Sequence, residues 1–264
     1  MAIRERNERR VIVVINQKGG VGKTTTSVNL AAALARSGKR TLLLDLDHQE
    51  NASVHLGVAL DGDARPRGTY SLMIEEIPLG DLAVKGRHEN LEIVPSHVEL
   101  AGAEHDLLLD PISSATRLLD ALEPSTHEVI VIDCPPTLGL VTINALMAAT
   151  EIVVPIQTEY FALKGIKSLL STLSRVRKRN PSVDRFRVLL TMVDARRSLD
   201  ADVVSLTEKE FGDRVYRSRI RKDVRLAEAP SAGKTIFEYA PRSRGAEDYQ
   251  DFSMEVIERW RKED

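Results

Sequence analysis

Short apolar, mostly β-branched runs recur along the chain, and each is closed by glycine, proline or aspartate before a stretch with helical spacing begins. The first, Arg10-Val-Ile-Val-Val-Ile-Asn16, has no polar alternation, the pattern of a strand buried on both faces. Thr24 to Arg36, TTTSVNLAAALAR, is rich in alanine and leucine and stops at Ser37-Gly38, so a helix follows that strand. A second strand is expected over Thr41–Leu46, and others over Leu91–Pro95, Val129–Asp133, Ile152–Ile156 and Arg187–Met192. Helical patterns fall near 112–122, 140–148, 162–179, 198–211 and 245–261. Strands alternating with helices predict an α/β fold of three layers, a mostly parallel central sheet with helices on both faces. The irregular stretch from Gly57 to Asn90 reads as surface loop and short helix inside a single domain spanning 1–264, of which 1–9 are expected to be flexible.

Composition narrows the picture. With 264 residues, 42% hydrophobic and 29% charged, the chain has ordinary globular usage and can bury a sizeable core. Its single cysteine, Cys134, excludes an intramolecular disulfide and any cysteine-built metal cluster within one chain. No apolar run approaches the ~18–20 residues that cross a bilayer, and the N-terminus lacks the apolar stretch of a signal peptide, so a cytoplasmic location is expected. The net charge of −2 hides an asymmetry. Between Arg175 and Arg225 stand 15 basic and 8 acidic residues, which marks a possible basic surface.

The chemistry concentrates between the first strand and the first helix, in Asn16-Gln17-Lys18-Gly19-Gly20-Val21-Gly22-Lys23-Thr24-Thr25. Glycines here let successive amides converge on phosphate oxygens, Lys23 adds a cation, and the helix directs its positive N-terminal end at the same place. Thr24 has the hydroxyl a magnesium ion needs. The usual phosphate-loop pattern fails at its first position, where Gln17 replaces glycine, and a second lysine, Lys18, appears. Asp133 closes an apolar strand and should emerge at its C-terminal edge, where ligands sit in doubly wound sheets. Asp45 and Asp47 end the second strand on one side of the chain, so that one could assist a metal shell and the other orient an attacking water.

At these residues the chain resembles the ParA-type partition ATPases of the deviant Walker A class, which also contains MinD. KGGVGKTTTSVNLAAALA, LLLDLDHQENA, VIVIDCPPTLGLVTINAL, VPIQTEYFALKGI and VRLAEAPSAGKTI look like that family's successive motifs, from about Val11 to about Tyr249. The resemblance implies a P-loop NTPase fold, ATP and Mg2+ as cofactors, and an ATP-dependent homodimer closed face to face across two nucleotides. It further implies nonspecific binding to double-stranded DNA, release when a ParB-like or other partner stimulates hydrolysis, and nucleoid association in the ATP state. Carried over by position, Lys18, Gly19, Gly20, Val21, Gly22, Lys23, Thr24 and Thr25 would hold nucleotide. Lys18 would reach the partner subunit's nucleotide, Asp47 would serve hydrolysis, and Thr24, Asp45 and Asp133 would serve the metal. Arg196, Arg219, Lys222 and Arg225, with Arg197 and Arg221 beside them, would face DNA.

The chain also departs from the family. His48 and Glu50 replace the proline and glycine of a usual Asp-Pro-Gln-Gly-Asn, and Ile220-Arg221-Lys222-Asp223 replaces Ile-Pro-Arg-Asn. His48 is assigned no role. About ten residues before the first strand leave no room for a helix-turn-helix module. A MinD-like membrane role is disfavoured by the acids that run through the last apparent helix, and one cysteine excludes a reductase like the nitrogenase iron protein. The MinD-like membrane-associated positioning ATPase nevertheless stands as the first alternative, and behind it, from another class, a P-loop kinase or synthetase acting on a small acid.

Overall fold

The computed structural model describes residues 9–60, 67–110, 112–159, 166–194 and 196–263, without the side chains of Ser198 and Leu199. The expectation of flexibility over 1–9 therefore falls outside the described residues except at Arg9, as does the start of the helix expected from 162. Eight strands form one sheet. They are β1 (Arg10–Val14), β2 (Thr41–Asp45), β3 (Val84–Lys85), β4 (Leu91–Val94), β5 (Val129–Asp133), β6 (Glu151–Gln157), β7 (Phe186–Val193) and β8 (Val215–Arg221). Their order is β3-β4-β2-β5-β1-β6-β7-β8, and every pairing is parallel except β3 with β4.

Both faces of the sheet are covered, as the unalternating apolar runs require. Val11, Val13, Leu42 and Leu44 point into one core, whereas Ile12, Val14 and Leu43 point into the other. The longer helices are α1 (Lys23–Arg36), α2 (Leu140–Ala148), α3 (Ile166–Val176), α4 (Ser198–Phe211) and α5 (Arg244–Glu263). α1 and α5 lie on the second face, where α5 buries Tyr249, Phe252, Val256 and Trp260 at helical spacing. Its apolar stripe is thereby spent on the core. α2, α3 and α4 cover the opposite face through Val141, Leu146, Leu169, Leu173 and Val203. Among the described residues no helix is long and apolar enough to cross a membrane.

Two strands lay beyond the sequence pattern. β3 is two exposed residues in the stretch expected as loop, which also holds short helices over Gly68–Met73 and Leu79–Leu82. β8, VYRSRIR, is an edge strand in which arginines alternate with Tyr216 and Ile220, so no apolar run announces it. The helix expected over 112–122 is shorter, running from Arg117 to Leu122.

The short helix Asn51–His55 follows β2 and rests against the segment around Gly233, close enough that a Cβ on Gly57 would stand 3.6 Å from the Gly233 carbonyl. His55 is 1% exposed, and its Nε2 has no hydrogen-bond partner. Burial pulls the imidazole down to about 4, against smaller upward pulls from a backbone hydrogen bond at Lys234 and the Glu238 charge. An imidazole held neutral in the fold contributes stability above its ordinary pKa of 6.5 and loses it as the pH falls toward about 4. Urea unfolding between pH 7 and pH 4 should therefore show a loss of up to about 3 kcal/mol that His55→Gln lacks. Parallel pH profiles for the two proteins would remove His55 from the acid response.

Candidate nucleotide site

β1, β2 and β5 end at one level, because Val14 pairs with Asp133 and Asp45 pairs with Asp133 across the sheet. The loop from Asn16 to Gly22 leaves this edge and turns back into α1. Two buried anchors fix its course. Asn16 Nδ2 donates to the Pro155 carbonyl at 2.8 Å while its Oδ1 accepts from the Lys18 amide at 3.0 Å. The Thr191 hydroxyl of β7 donates to the Val21 carbonyl at 2.8 Å. Gly20 and Gly22 take φ of +75° and +88°, the left-handed region that glycine enters at least cost. Gly22 caps α1 without a side-chain hydrogen bond, and the first turn holds no acid, so nothing of the chain's own competes for its amides.

Lys23 is 8% exposed, and among the described residues its Nζ hydrogen-bonds only the Lys18 carbonyl, at 3.4 Å. Burial lowers its pKa, opposed by the charges of Asp133 and Asp47. Asp133 is fully buried and accepts from Ser27 Oγ at 2.8 Å through Oδ1, whereas Oδ2 has no hydrogen-bond partner. Burial first and the neighbouring Asp45 second raise its pKa, with Thr24, Ser27 and Lys23 pulling the other way. An unpartnered buried carboxylate oxygen beside a threonine hydroxyl suits a magnesium ion, which takes one or two protein oxygens and completes its shell with phosphate and water. Among the described residues no three acidic, cysteine or histidine side chains cluster.

Asp45 is engaged by donors of the chain itself. Its Oδ2 accepts from the Ser53 amide at 2.8 Å and the Ser53 hydroxyl at 2.7 Å, and its Oδ1 accepts from the Asp47 amide at 3.1 Å. With three donors already bound, this carboxylate holds the turn that carries Asp47. Asp47 lies beyond it, 5% exposed, with Oδ1 accepting from the Gln49 amide at 3.0 Å. Lys18 stands at the rim, its Nζ donating to Glu159 Oε2 at 2.5 Å. The roles of Ser27 and Glu159 were not read from the sequence. Ser27 lies one helical turn from Lys23 and could have been, whereas Glu159 is 141 residues from Lys18.

The expected DNA-facing residues lie along the same sheet edge, at the ends of β7 and β8, where the Lys222 amide donates to the Val193 carbonyl. Most of their charge is paired. Arg196 meets Asp194 at 2.8 Å, Arg219 meets Glu208 at 2.6 Å, and Arg225 lies 3.7 Å from Glu228. Arg197 stands 3.7 Å from Asp200, and Arg221 is held by Glu247 and Asp248. Lys222 has no ion pair among the described residues. It borders a groove of about 650 Å³ with Arg225, Arg242 and Arg244, the last two of which the sequence reading missed because they lie outside the basic window.

The family model described as an AAA domain matches residues 9–185. The sporulation initiation inhibitor protein Soj of Bacillus subtilis is 47% identical over 250 residues, 94% of this chain and 98% of its own. The chromosome partitioning protein ParA of Caulobacter vibrioides is 42% identical over 261 residues, 97% of this chain and 96% of its own. Among solved structures, a cobyrinic acid a,c-diamide synthase from Mycobacterium smegmatis with bound ADP and magnesium superposes with a TM-score of 0.83 at 31% identity, covering 97% of each chain.

One position beside the site is strained. Glu50 has φ +59°, ψ 23°, yet carries a side chain that disfavours this region, while its amide and carbonyl are fixed to the Asp47 carbonyl and the Val54 amide. Glu50→Gly should raise unfolding stability by about 1 kcal/mol, read from the urea midpoint at unchanged slope. An unchanged or lowered midpoint would show that Glu50 makes compensating contacts.

Proposed function

The chain belongs to the family of the ParA and Soj partition ATPases, and from that premise we propose that it is a nucleotide-switched dimer that binds DNA without sequence preference and moves a cargo when a partner triggers hydrolysis. It is an ATPase, with ATP and magnesium as its cofactors. The observation that carries the reading is the junction at the level ends of β1, β2 and β5. A buried lysine with no ion pair among the described residues, left-handed glycines before a helix N-terminus without a side-chain cap and an unpartnered carboxylate oxygen meet there.

In this mechanism the amides of Gly19 to Thr25 and the Lys23 ammonium take the phosphates. Thr24 and Asp133 would hold magnesium, which when bound would supply charge that neutralises the phosphates. Asp45 positions the loop that carries Asp47, and Asp47 orients the attacking water. Lys18 exchanges Glu159 for the partner subunit's nucleotide, so a full catalytic charge exists only in the dimer. Pairing two subunits doubles the phosphate contacts made by Lys222, Arg225, Arg196 and Arg219, joined by Arg242 and Arg244, and DNA affinity rises with dimerisation. The cargo is a plasmid, a chromosome or a protein cluster, the stimulating partner is a ParB-like or other protein, and the ATP state sits on the nucleoid within the cytoplasm. No membrane contact enters, because α5 buries its apolar stripe in the core.

The likeness to the cobyrinic acid a,c-diamide synthase favours a second reading, a P-loop synthetase acting on a small carboxylate. The higher identity to the partition proteins over the same length outweighs it.

Fluorescence anisotropy on random-sequence duplex, with ATP, ADP and no nucleotide at several salt concentrations, separates the two. DNA should bind tightly only with ATP, log K should fall linearly with log salt, and Lys18→Ala should bind ATP yet lose the ATP-specific DNA affinity along with the dimer in light scattering. Equal DNA binding in all three states, or none in any, together with turnover that depends on a small carboxylate, would favour the synthetase.

A further inference from the structure

Lys18 and the Arg196–Arg197 turn are joined by one short run of contacts across the ends of β6 and β7. Glu159, which holds Lys18 through Oε2, accepts from Gln157 Nε2 at 2.8 Å through Oε1. Between these two residues Thr158 turns inward, 2% exposed, and its hydroxyl donates to Asp200 Oδ2 at 2.6 Å. The same oxygen accepts from the Asp194 amide, just past the end of β7, at 2.8 Å. Asp194 in turn grips Arg196, whose Nε donates to Oδ1 at 2.9 Å and whose Nη2 donates to Oδ2 at 2.8 Å. Arg197 Nε stands 3.7 Å from Asp200 Oδ1, an atom with no hydrogen-bond partner.

Asp200 sits in the first turn of α4 and is 1% exposed. β6 and β7 pair as far as Gln157 and Thr191, with the Thr158 amide 3.4 Å from the Thr191 carbonyl, and beyond that last contact one buried oxygen ties together the two turns that leave the strands. If either moved alone, that oxygen would lose a donor inside the protein, where an unmade hydrogen bond costs most. The end of β6 and the end of β7 are therefore bound to move together. Neither Thr158 nor Asp200 has any place in holding phosphate or metal.

We propose that Asp200 is a positioning residue that ties the placement of the Arg196–Arg197 turn to the segment holding Lys18, so that a change of partner at Lys18 alters how the two arginines are presented to DNA phosphate. The inference rests on the DNA-switch reading above. It adds how the nucleotide side and the DNA side of one subunit communicate.

The direct change, Asp200→Ala, strands two donors and could fail by unfolding, so the informative variant is Thr158→Val, which keeps shape and removes one hydrogen bond. Thr158→Ser restores the hydroxyl. Anisotropy on random duplex with ATP and with ADP is measured for each, alongside ATP affinity by calorimetry and dimer formation by light scattering. Thr158→Val should bind ATP and dimerise as the wild type does, while its ratio of DNA affinity in ATP to that in ADP falls by about fivefold, the effect of one buried hydrogen bond, and Thr158→Ser should recover most of the ratio. A Thr158→Val protein with the wild-type ratio, or one that loses DNA affinity equally in both nucleotide states, overturns the inference. A wild type that does not discriminate ATP from ADP on DNA defeats the DNA-switch reading itself, and the inference falls with it.

Discussion

A carboxylate buried in the middle of a parallel sheet sets the terms for the whole site. Asp133 is sealed from solvent at the end of β5, flanked by β1 and β2, with one oxygen paired to Ser27 and the other unpaired. Such a group is costly to keep ionised unless a cation completes it. Lys23 supplies part of that charge from the first turn of α1 but is itself buried and pulled toward neutrality. Two half-compensated charges side by side form a site whose best partner is a phosphate chain carrying a divalent ion, since that ligand satisfies the lysine and the carboxylate together.

The surrounding polar network keeps those two charges unspent. Asp45, the other carboxylate at this level, is consumed by Ser53 and by the Asp47 amide, so the turn after β2 is rigid and Asp47 is delivered to the edge of the site. Farther along the same edge the basic residues are nearly all matched to acids, which leaves a surface whose net charge understates its arginines and overstates its free cations. Exposed pairs of this kind are worth little individually. They can exchange an acid for another anion at small cost.

Local signals made much of this legible in advance. β1, the glycine loop and α1 are contiguous, and an apolar run ending in Asp133 says where that carboxylate must emerge, so fold and phosphate loop could be read without knowing any distant contact. Long-range pairing could not. Two of the three hydrogen bonds that spend Asp45 come from Ser53, eight positions on in a short helix that no sequence pattern announced, and the acids that match Arg219 and Arg221 lie on α4 and α5. β8 escaped because an edge strand needs only one apolar face. The departure at Glu50 was visible as a residue type, but its physical content, a left-handed backbone carrying a full side chain, appears only in the fold.

A free oxygen on Asp133 matters most if it is kept for magnesium in the nucleotide complex. Thermal unfolding with ATP in the presence of magnesium or of a chelator, on the wild type and on Asp133→Asn, tests it without any turnover. Magnesium should add markedly to the stabilisation that ATP gives the wild type, and that increment should nearly vanish in Asp133→Asn, whose amide still accepts from Ser27 but cannot bind the ion as a carboxylate does. An Asp133→Asn protein that keeps the full magnesium increment would contradict the account.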